Sequence, residues 1–329
     1  MIRILYYSKR SGLQMNYPLK QVKHALRDKK GLLWVDFDGE PDANCEPVLR
    51  DTFGFHPLAV DDALQETHVP KVDDWGDYLY IVLSALDYGE PLGDNSLHAN
   101  ELDIFLGGNY VVTHHDEPVP GLDQVWEACR RDLRHTQSGA DHLLYKITDY
   151  IVAAYMPIVE KIDKDIDDLE DQIFDRPDPK TIEALFALKR TLLAMRRVIT
   201  PQREVLNKLA RDDYRVIDPN DRVFFRDVYD HLVRLHDLNE SMRDLVGGAL
   251  DTYLSVINNR MNEVMKTLTI ITTLFMPLTF VVGFFGMNFF LPDVPITEWM
   301  THPVFYIVLI LMLILPVSMY LWMRRRTWV

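Results

Sequence analysis

The chain has 329 residues, 48% hydrophobic and 26% charged, with a formal net charge of −14. This length allows two or three domains, and the acidic balance argues against a general affinity for nucleic acid and favours cations as partners. The only cysteines, Cys45 and Cys129, form no Cys-x-x-Cys pair, which argues against a disulfide framework or a thiolate zinc site.

Residues 1–120 are predicted to form a cytoplasmic α/β domain. The segment "ELDIFLGGNYVVTHH" indicates a β-hairpin, with Gly107, Gly108 and Asn109 as turn residues. Three more β-rich runs and two helical stretches precede it: "IRILYY", "GLLWVDF", "DYLYIVLSAL", Leu19–Asp28 and Pro57–Gln65. No Gly-x-Gly-x-x-Gly, P-loop or Gly-x-Ser-x-Gly motif occurs, so the sequence predicts no enzyme.

Residues 121–266 are predicted to form a cytoplasmic helical stalk. One helix is expected over 141–175, and Asp178-Pro179 supplies the N-cap and first residue of a second helix that ends near Arg211. Asp218-Pro219 supplies the same pair of N-cap and first residue for a third helix. No proline follows until Pro277, which predicts one helix over about 219–285.

The last part of the chain carries two hydrophobic runs. Residues 267–290 are uncharged, about 36 Å of helix, and predict transmembrane helix 1. Residues 291–302 predict an external loop, 303–323 transmembrane helix 2, and 324–329 a basic tail. Because the loop has no Lys or Arg whereas the tail has three arginines, the positive-inside rule places both termini in the cytoplasm.

A stripe with a 3.5-residue period follows one face of the long helix. Its members are Asp251, Ser255, Asn258, Asn262, Met265, Thr269, Thr272, Met276, Thr279 and Gly283. At one position the period falls between Leu268 and Thr269, so Leu268 is included as well. One interpretation is helix packing, in which Thr and Gly are common at membrane interfaces. The other is a pore wall. A single helix cannot enclose a channel, so that interpretation requires several copies of the chain.

The first span ends in Gly286-Met287-Asn288. This motif, its place between an acidic domain and a basic tail, and the segment "NEVMKTLTIITTLFMPLTFVVGFFGMNF" together resemble the CorA family of divalent-cation channels. The resemblance implies an α+β cytoplasmic domain, long helices, two C-terminal transmembrane helices and a homopentamer in the cell (inner) membrane. The first span would line the pore, and membrane lipids would surround the assembled pentamer.

The resemblance further implies that Gly286, Met287 and Asn288 form the selectivity filter at the outer mouth. Mg²⁺ gives up its water reluctantly, and asparagine carbonyls can accept hydrogen bonds from that water without stripping it. A carboxylate ring would attract the ion more strongly but could hold it too long. Family members often carry an acid soon after the motif, whereas Phe289 and Phe290 follow here.

A regulatory metal site is also implied. The stretch "HPLAVDDALQ" resembles the family segment bearing a regulatory acid, best matched by Asp62, with Asp61 as the neighbouring register. Asp227 matches its partner across the subunit boundary. Mg²⁺ would be both the transported and the regulatory ion, and its loss would free the subunits to open.

Two other functions remain open at the level of sequence. The first is a zinc transporter of the same architecture, with or without proton coupling, although such relatives usually carry Gly-Ile-Asn and Met287 argues mildly against it. The second is a membrane-anchored sensor that conducts nothing, against which the polar stripe and the uncharged Asn288 argue.

Overall fold

The computed structural model describes residues 1–65, 68–88, 97–175, 178–286 and 302–326. It divides the chain into two compact units, Met1–Asp251 and Thr252–Val329.

The first unit contains one mixed sheet. Its strands are β1 (Ile2–Ser8), β2 (Gly12–Met15), β3 (Leu32–Asp38), β4 (Lys71–Asp74), β5 (Tyr78–Tyr88), β6 (Leu97–Gly107) and β7 (Tyr110–His115). They are ordered β2-β1-β3-β7-β6-β5-β4, and among these described strands β3 and β7 pair in parallel whereas the other neighbours are antiparallel. The predicted hairpin is confirmed as β6–β7. A Cβ atom on Gly107 would lie 2.2 Å from the Tyr110 ring, so a larger residue there would have to displace that ring.

Ten α-helices accompany these strands in the described parts of the chain. They are α1 (Val22–Ala25), α2 (Asp42–Pro47), α3 (Pro57–Gln65), α4 (Pro120–Arg131), α5 (Arg134–Gln137), α6 (Ala140–Ala153), α7 (Tyr155–Asp175), α8 (Pro179–Arg211), α9 (Arg222–Gly286) and α10 (His302–Arg325). A 3₁₀ turn covers Leu19–Gln21, and a π-helix covers Val48–Phe53.

Helices cover both faces of the sheet. On one face, Val22 of α1, Cys45 of α2 and Ala63 of α3 join the apolar cluster built on Phe105 and Tyr80. On the other face, α6, α7 and α8 pack against the strands. There the backbone N–H of Ser84 donates to Gln202 Oε1 at 3.0 Å, and Gln202 Nε2 donates to the Tyr155 hydroxyl at 2.9 Å. The buried polar groups are therefore paired where helix meets strand.

Two helix boundaries differ from the sequence prediction. The helix expected over 141–175 is interrupted at Ala154. Pro157 follows, and a proline there has no N–H to donate to the Ala153 carbonyl and crowds it. The long helix begins at Arg222 rather than near residue 219, because Asp218 accepts the Asn220 N–H at 2.8 Å and forms a turn before it. The predicted start and end of α8 are confirmed: Asp178 Oδ1 accepts the Thr181 N–H at 2.9 Å in a capping box.

Within the first unit, α9 buries one narrow seam. The buried positions recur at alternating steps of three and four: Phe225, Val228, Leu232, Leu235, Asn239, Met242, Val246 and Ala249. This heptad spacing keeps the seam on one side of the helix. The opposite side is left exposed, including Asp227 and Asp251.

The second unit contains the remainder of α9 and α10. Both have stretches long and apolar enough to cross a membrane by length and composition, with mean hydropathy of 2.1 and 2.3. Large apolar side chains on α9 are open, with Phe275, Met276 and Phe280 exposed by 61%, 68% and 74%. Contiguous apolar surface of this kind marks an interface with lipid or protein. The domain boundaries given above stay a prediction.

Candidate functional site

The predicted stripe lies on an open face of α9 within the second unit. All of its members there are exposed: Ser255, Asn258, Asn262, Met265, Leu268, Thr269, Thr272, Met276, Thr279 and Gly283. A different face is partly covered, at Ile270, Thr273, Leu274, Pro277, Leu278 and Val281. The polar and sulfur-bearing side chains therefore stand apart from the face that packs within the unit.

Threonine hydroxyls on this part of α9 bond back to their own helix. Thr269 donates to the Met265 carbonyl at 2.7 Å, and Thr272 and Thr279 donate to carbonyls four residues earlier, each at 2.9 Å. A hydroxyl has one proton and two lone pairs. With the proton committed to the backbone, each oxygen presents only acceptor capacity outward, which suits the water of a hydrated cation.

Gly286 is the last residue of α9 and is exposed. Met287 and Asn288, the other members of the predicted selectivity filter, lie outside the described residues. Their assignment stays a prediction from the motif.

Asp62 lies on α3 and already has cationic neighbours. Lys71 Nζ is 2.5 Å from Asp62 Oδ2, and His68 Nε2 is 3.8 Å from the same oxygen. Burial lowers the pKa of Lys71, but hydrogen bonding to Asp62 and the charges of Asp73 and Asp62 outweigh it and raise the pKa overall. Neighbouring Asp61 instead pairs with Arg50, Nη2 to Oδ1, at 2.5 Å.

Asp227 is exposed on α9 and has different neighbours. It contributes to the field around Tyr145 and Asp149 of α6: burial raises the pKa of both groups, and the charge of Asp227 adds to the rise. The contacts described for Asp62 and those for Asp227 share no residue. A single chain does not test a site shared between subunits, so the metal assignment of these two aspartates stays a prediction.

Three further aspartates on the open side of α9 extend the stripe beyond the residues named from the sequence. Asp230, Asp237 and Asp244 precede Asp251 at intervals of seven residues, and all are exposed. The signal that could have found them is the heptad period itself, because extending the stripe backward from Asp251 lands on each in turn. Lys71, the partner of Asp62, was missed because the contact depends on the position of β4 beside α3.

Comparisons with known proteins agree on one family. Residues 29–325 match the sequence model of the family described as CorA-like Mg²⁺ transporter protein. The cobalt/magnesium transport protein CorA of Thermotoga maritima is 34% identical, over 95% of this chain and 91% of that protein. The zinc transport protein ZntB of Yersinia pseudotuberculosis is 26% identical, over 83% of this chain and 81% of its own length.

The fold has a counterpart among solved structures. The complete structure of the CorA magnesium transporter from Methanocaldococcus jannaschii superposes with a TM-score of 0.82, covering 100% of this chain and 99% of that one at 22% identity. The predicted fold class is therefore confirmed for the chain: a mixed-sheet domain, long helices and two C-terminal apolar helices.

Proposed function

Because this chain belongs to the family of CorA-like Mg²⁺ transporter proteins, we propose that it is a channel admitting Mg²⁺, and with it Co²⁺ and Ni²⁺, to the cytoplasm. The family transports divalent cations and does not catalyse a reaction, so the chain is a transporter and not an enzyme. What we propose for this chain is the ion that it transports, the direction of transport and the way in which transport is controlled.

The observation that carries the proposal is the exposed stripe on α9. An apolar helix of this length would be expected to be apolar all round if it only met lipid. Instead one exposed face carries Asn262, Thr272 and Thr279, and the two threonine hydroxyls donate their protons to backbone carbonyls and keep their acceptor capacity. Met265 and Met276 stand between them and would narrow the path into hydrophobic constrictions able to gate by dewetting.

Several copies of α9 are needed to enclose such a path, and the family resemblance favours a homopentamer. Each stripe residue then becomes a ring around the axis. At the outer end, a ring of Asn288 amides would accept hydrogen bonds from the water shell of Mg²⁺. Binding through water is weak enough for release, which conduction requires.

The membrane potential supplies the driving force. It is worth about 2.3 kcal/mol per elementary charge per 100 mV, or about 4.6 kcal/mol for a divalent ion. The arginines at 324–326 after α10 favour a cytoplasmic tail by the positive-inside rule. With two spans, the first unit is then cytoplasmic as well, and the protein resides in the cell (inner) membrane.

Control by cytoplasmic Mg²⁺ would act through Asp62 and Asp227. An ion bound by both, across a subunit boundary, would stabilise the closed ring because a ligand favours the state that binds it. In this structure the Lys71 ammonium group forms an ion pair with the Asp62 carboxylate. The ion must therefore displace or rearrange that ammonium group.

A zinc transporter is the second candidate, favoured by the similarity to a protein named as a zinc transporter. Met287 argues against it, since the resemblance associates zinc transport with isoleucine at that position. A membrane-anchored sensor without conduction is the third, and the polar stripe argues against it because such a sensor needs no polar face inside the membrane.

Uptake into proteoliposomes separates the candidates. Purified protein is tested with Mg²⁺, Co²⁺, Ni²⁺ and Zn²⁺ under an inside-negative potential, with and without a pH gradient. Mg²⁺ uptake that follows the potential and ignores the pH gradient supports the proposal. Zn²⁺ uptake that needs the pH gradient, without Mg²⁺ uptake, contradicts it in favour of the second candidate, and no uptake of any ion favours the sensor.

A further inference from the structure

A cleft of about 290 Å³ opens in the first unit, between the end of α3 and the β6–β7 hairpin. Its lining includes Glu101, Asp103, His114, Asp116 and Glu117. None of these residues belongs to the predicted pore or to the predicted Asp62–Asp227 site. Four carboxyl groups around one cleft create a strong local attraction for cations.

The register of the sheet brings the central groups together. Glu101 and Asp103 are two residues apart on β6, so their side chains leave the same face of the sheet. His114 of β7 is the direct cross-strand partner of Asp103, on the same face as its partner. Three titratable side chains thereby converge on one end of the hairpin.

The inner two groups are almost fully buried. The side chains of His114 and Asp103 are exposed by only 3% and 5%, and His114 Nδ1 lies 3.7 Å from Asp103 Oδ2. Tyr80 donates its hydroxyl to Asp103 Oδ1 at 2.6 Å. Among the described residues, neither ring nitrogen of His114 has a hydrogen-bond partner, although a buried polar group normally has one. This points to a partner held in the cleft.

Only one of the two carboxylate oxygens of Glu101 has a hydrogen-bond partner among the described residues. Its Oε2 accepts the backbone N–H of His68 at 2.8 Å, while its buried Oε1 has no hydrogen-bond partner in the part of the chain that the structure describes. Burial, and then the charge of Asp103, raise the pKa of Glu101 to about 7. The ammonium of Lys71, which pairs with Asp62 at 2.5 Å, acts in the opposite direction on the pKa of Glu101 but does not outweigh burial.

We propose that this cleft binds a divalent cation that keeps its water shell, through Glu101, Asp103 and His114. In the described ranges no three acidic, histidine or cysteine side chains already surround one point at coordinating distance, which argues against a dehydrated metal. A volume of about 290 Å³ accommodates an ion with its waters. Mg²⁺ is the ion class that keeps its waters and uses one or two carboxylates.

Protons compete with the cation for this cleft. The groups that face Glu101 and Asp103 from the surrounding elements are Asp62, His68, Lys71, Tyr80, His114, His115, Asp116 and Glu117. A proton on Glu101 removes the negative charge that a cation would meet, so proton and cation exclude each other at this carboxyl group.

The test counts bound ions on the full-length protein in detergent, with Mn²⁺ as the probe and electron paramagnetic resonance reporting free Mn²⁺. Glu101→Gln retains an amide oxygen for the His68 N–H, so the fold is kept. It should bind one Mn²⁺ fewer per chain at pH 8 than the wild type. Glu183→Gln, the same change at an exposed position of α8, should bind as many as the wild type. Equal numbers in all three proteins overturn the proposal.

A second measurement locates the ion without any variant. Fe²⁺ substituted for Mg²⁺, with ascorbate and peroxide, cleaves the backbone near where it binds. Cuts should fall within residues 99–103 and 114–117 and fade with added Mg²⁺. Cuts confined to other segments overturn the assignment, while the proposed conduction along α9 would be unaffected.

Discussion

The carboxylate of Asp62 already has a cation beside it, because Lys71 Nζ lies 2.5 Å from Oδ2. Any Mg²⁺ that uses Asp62 competes with this ammonium group. The residue that sets the sensitivity of the proposed sensor is therefore as much Lys71 as Asp62.

Lys71→Gln should strengthen the effect of Mg²⁺ on the cytoplasmic unit. Removing a partly exposed ion-pair partner that a ligand must displace is worth up to about 1 kcal/mol, or about two- to fivefold in affinity. The measurement is the Mg²⁺ concentration that half-protects the protein against protease. Lys180→Gln, on exposed α8 surface, is the matched control and should not move the midpoint. An unchanged midpoint in Lys71→Gln would show that Lys71 does not compete.

Asp227→Ala tests the other half of the proposed sensor. If Asp227 shares an ion with Asp62 of a neighbouring subunit, its loss removes a ligand, and protection by Mg²⁺ should require higher concentrations. Inhibition of currents by internal Mg²⁺ should weaken in parallel. Simple loss of an exposed helical aspartate changes stability by under about 0.5 kcal/mol.

The control for Asp227→Ala is Asp167→Ala, an exposed aspartate of α7. Protection midpoints that coincide in the wild type and both variants would end the sensor assignment. The pore assignment would survive that result, since it rests on other residues.

At the scale of elements, α9 presents different faces to different surroundings. The threonine hydroxyls bonded to carbonyls one turn back leave acceptor oxygens on the open face. The partly covered face carries Ile270, Leu274 and Leu278. This division predicts which positions meet water once the protein is assembled in a membrane.

Single cysteines should report that division. At Asn262, Thr272, Met276 and Thr279 they should react with small aqueous thiol reagents. At Ile270, Phe275 and Leu278 they should react much more slowly, since lipid or a neighbouring helix covers them. Cys45 and Cys129 are buried but are replaced beforehand to remove background. Equal rates in the two sets would mean that the stripe does not line water.

Helix caps and turn residues in the sequence predicted the helices and the hairpin correctly where one residue decides the local geometry. Asp178 caps α8 by accepting the Thr181 N–H, and the Gly108-Asn109 turn closes the hairpin. Prediction failed where a competing local effect intervened. Pro157 interrupts the helix expected over 141–175, and the turn at Asp218 delays the start of α9.

The candidate cation cleft could not be predicted from sequence. It depends on His114 lying across from Asp103, and on the burial that leaves the ring nitrogens of His114 without partners among the described residues. Both follow from strand register and packing, which cannot be read from the sequence when the residues lie far apart in it. The stripe, by contrast, is local to one helix, and its period was readable in the sequence.

At the scale of the whole molecule, two features of the chain call for partners. The apolar helices α9 and α10 leave large side chains open, which a bilayer would cover. A polar face on a membrane-spanning helix is costly to place against lipid and favours contact with water, which other copies of the same helix would enclose. A homo-oligomer with a wet axis satisfies both conditions, and the family resemblance favours five copies.

The central claim is that Mg²⁺ passes with its water through a ring of Asn288 amides. Mg²⁺ uptake is compared for wild type, Asn288→Ala and Asn44→Ala in proteoliposomes at one inside-negative potential, with the oligomer verified by mass. Each hydrogen bond is worth about 1 kcal/mol, so loss of the ring should reduce uptake about tenfold or more in Asn288→Ala. The exposed control Asn44→Ala should match the wild type. Wild-type uptake and ion preference in a correctly assembled Asn288→Ala protein would contradict the account.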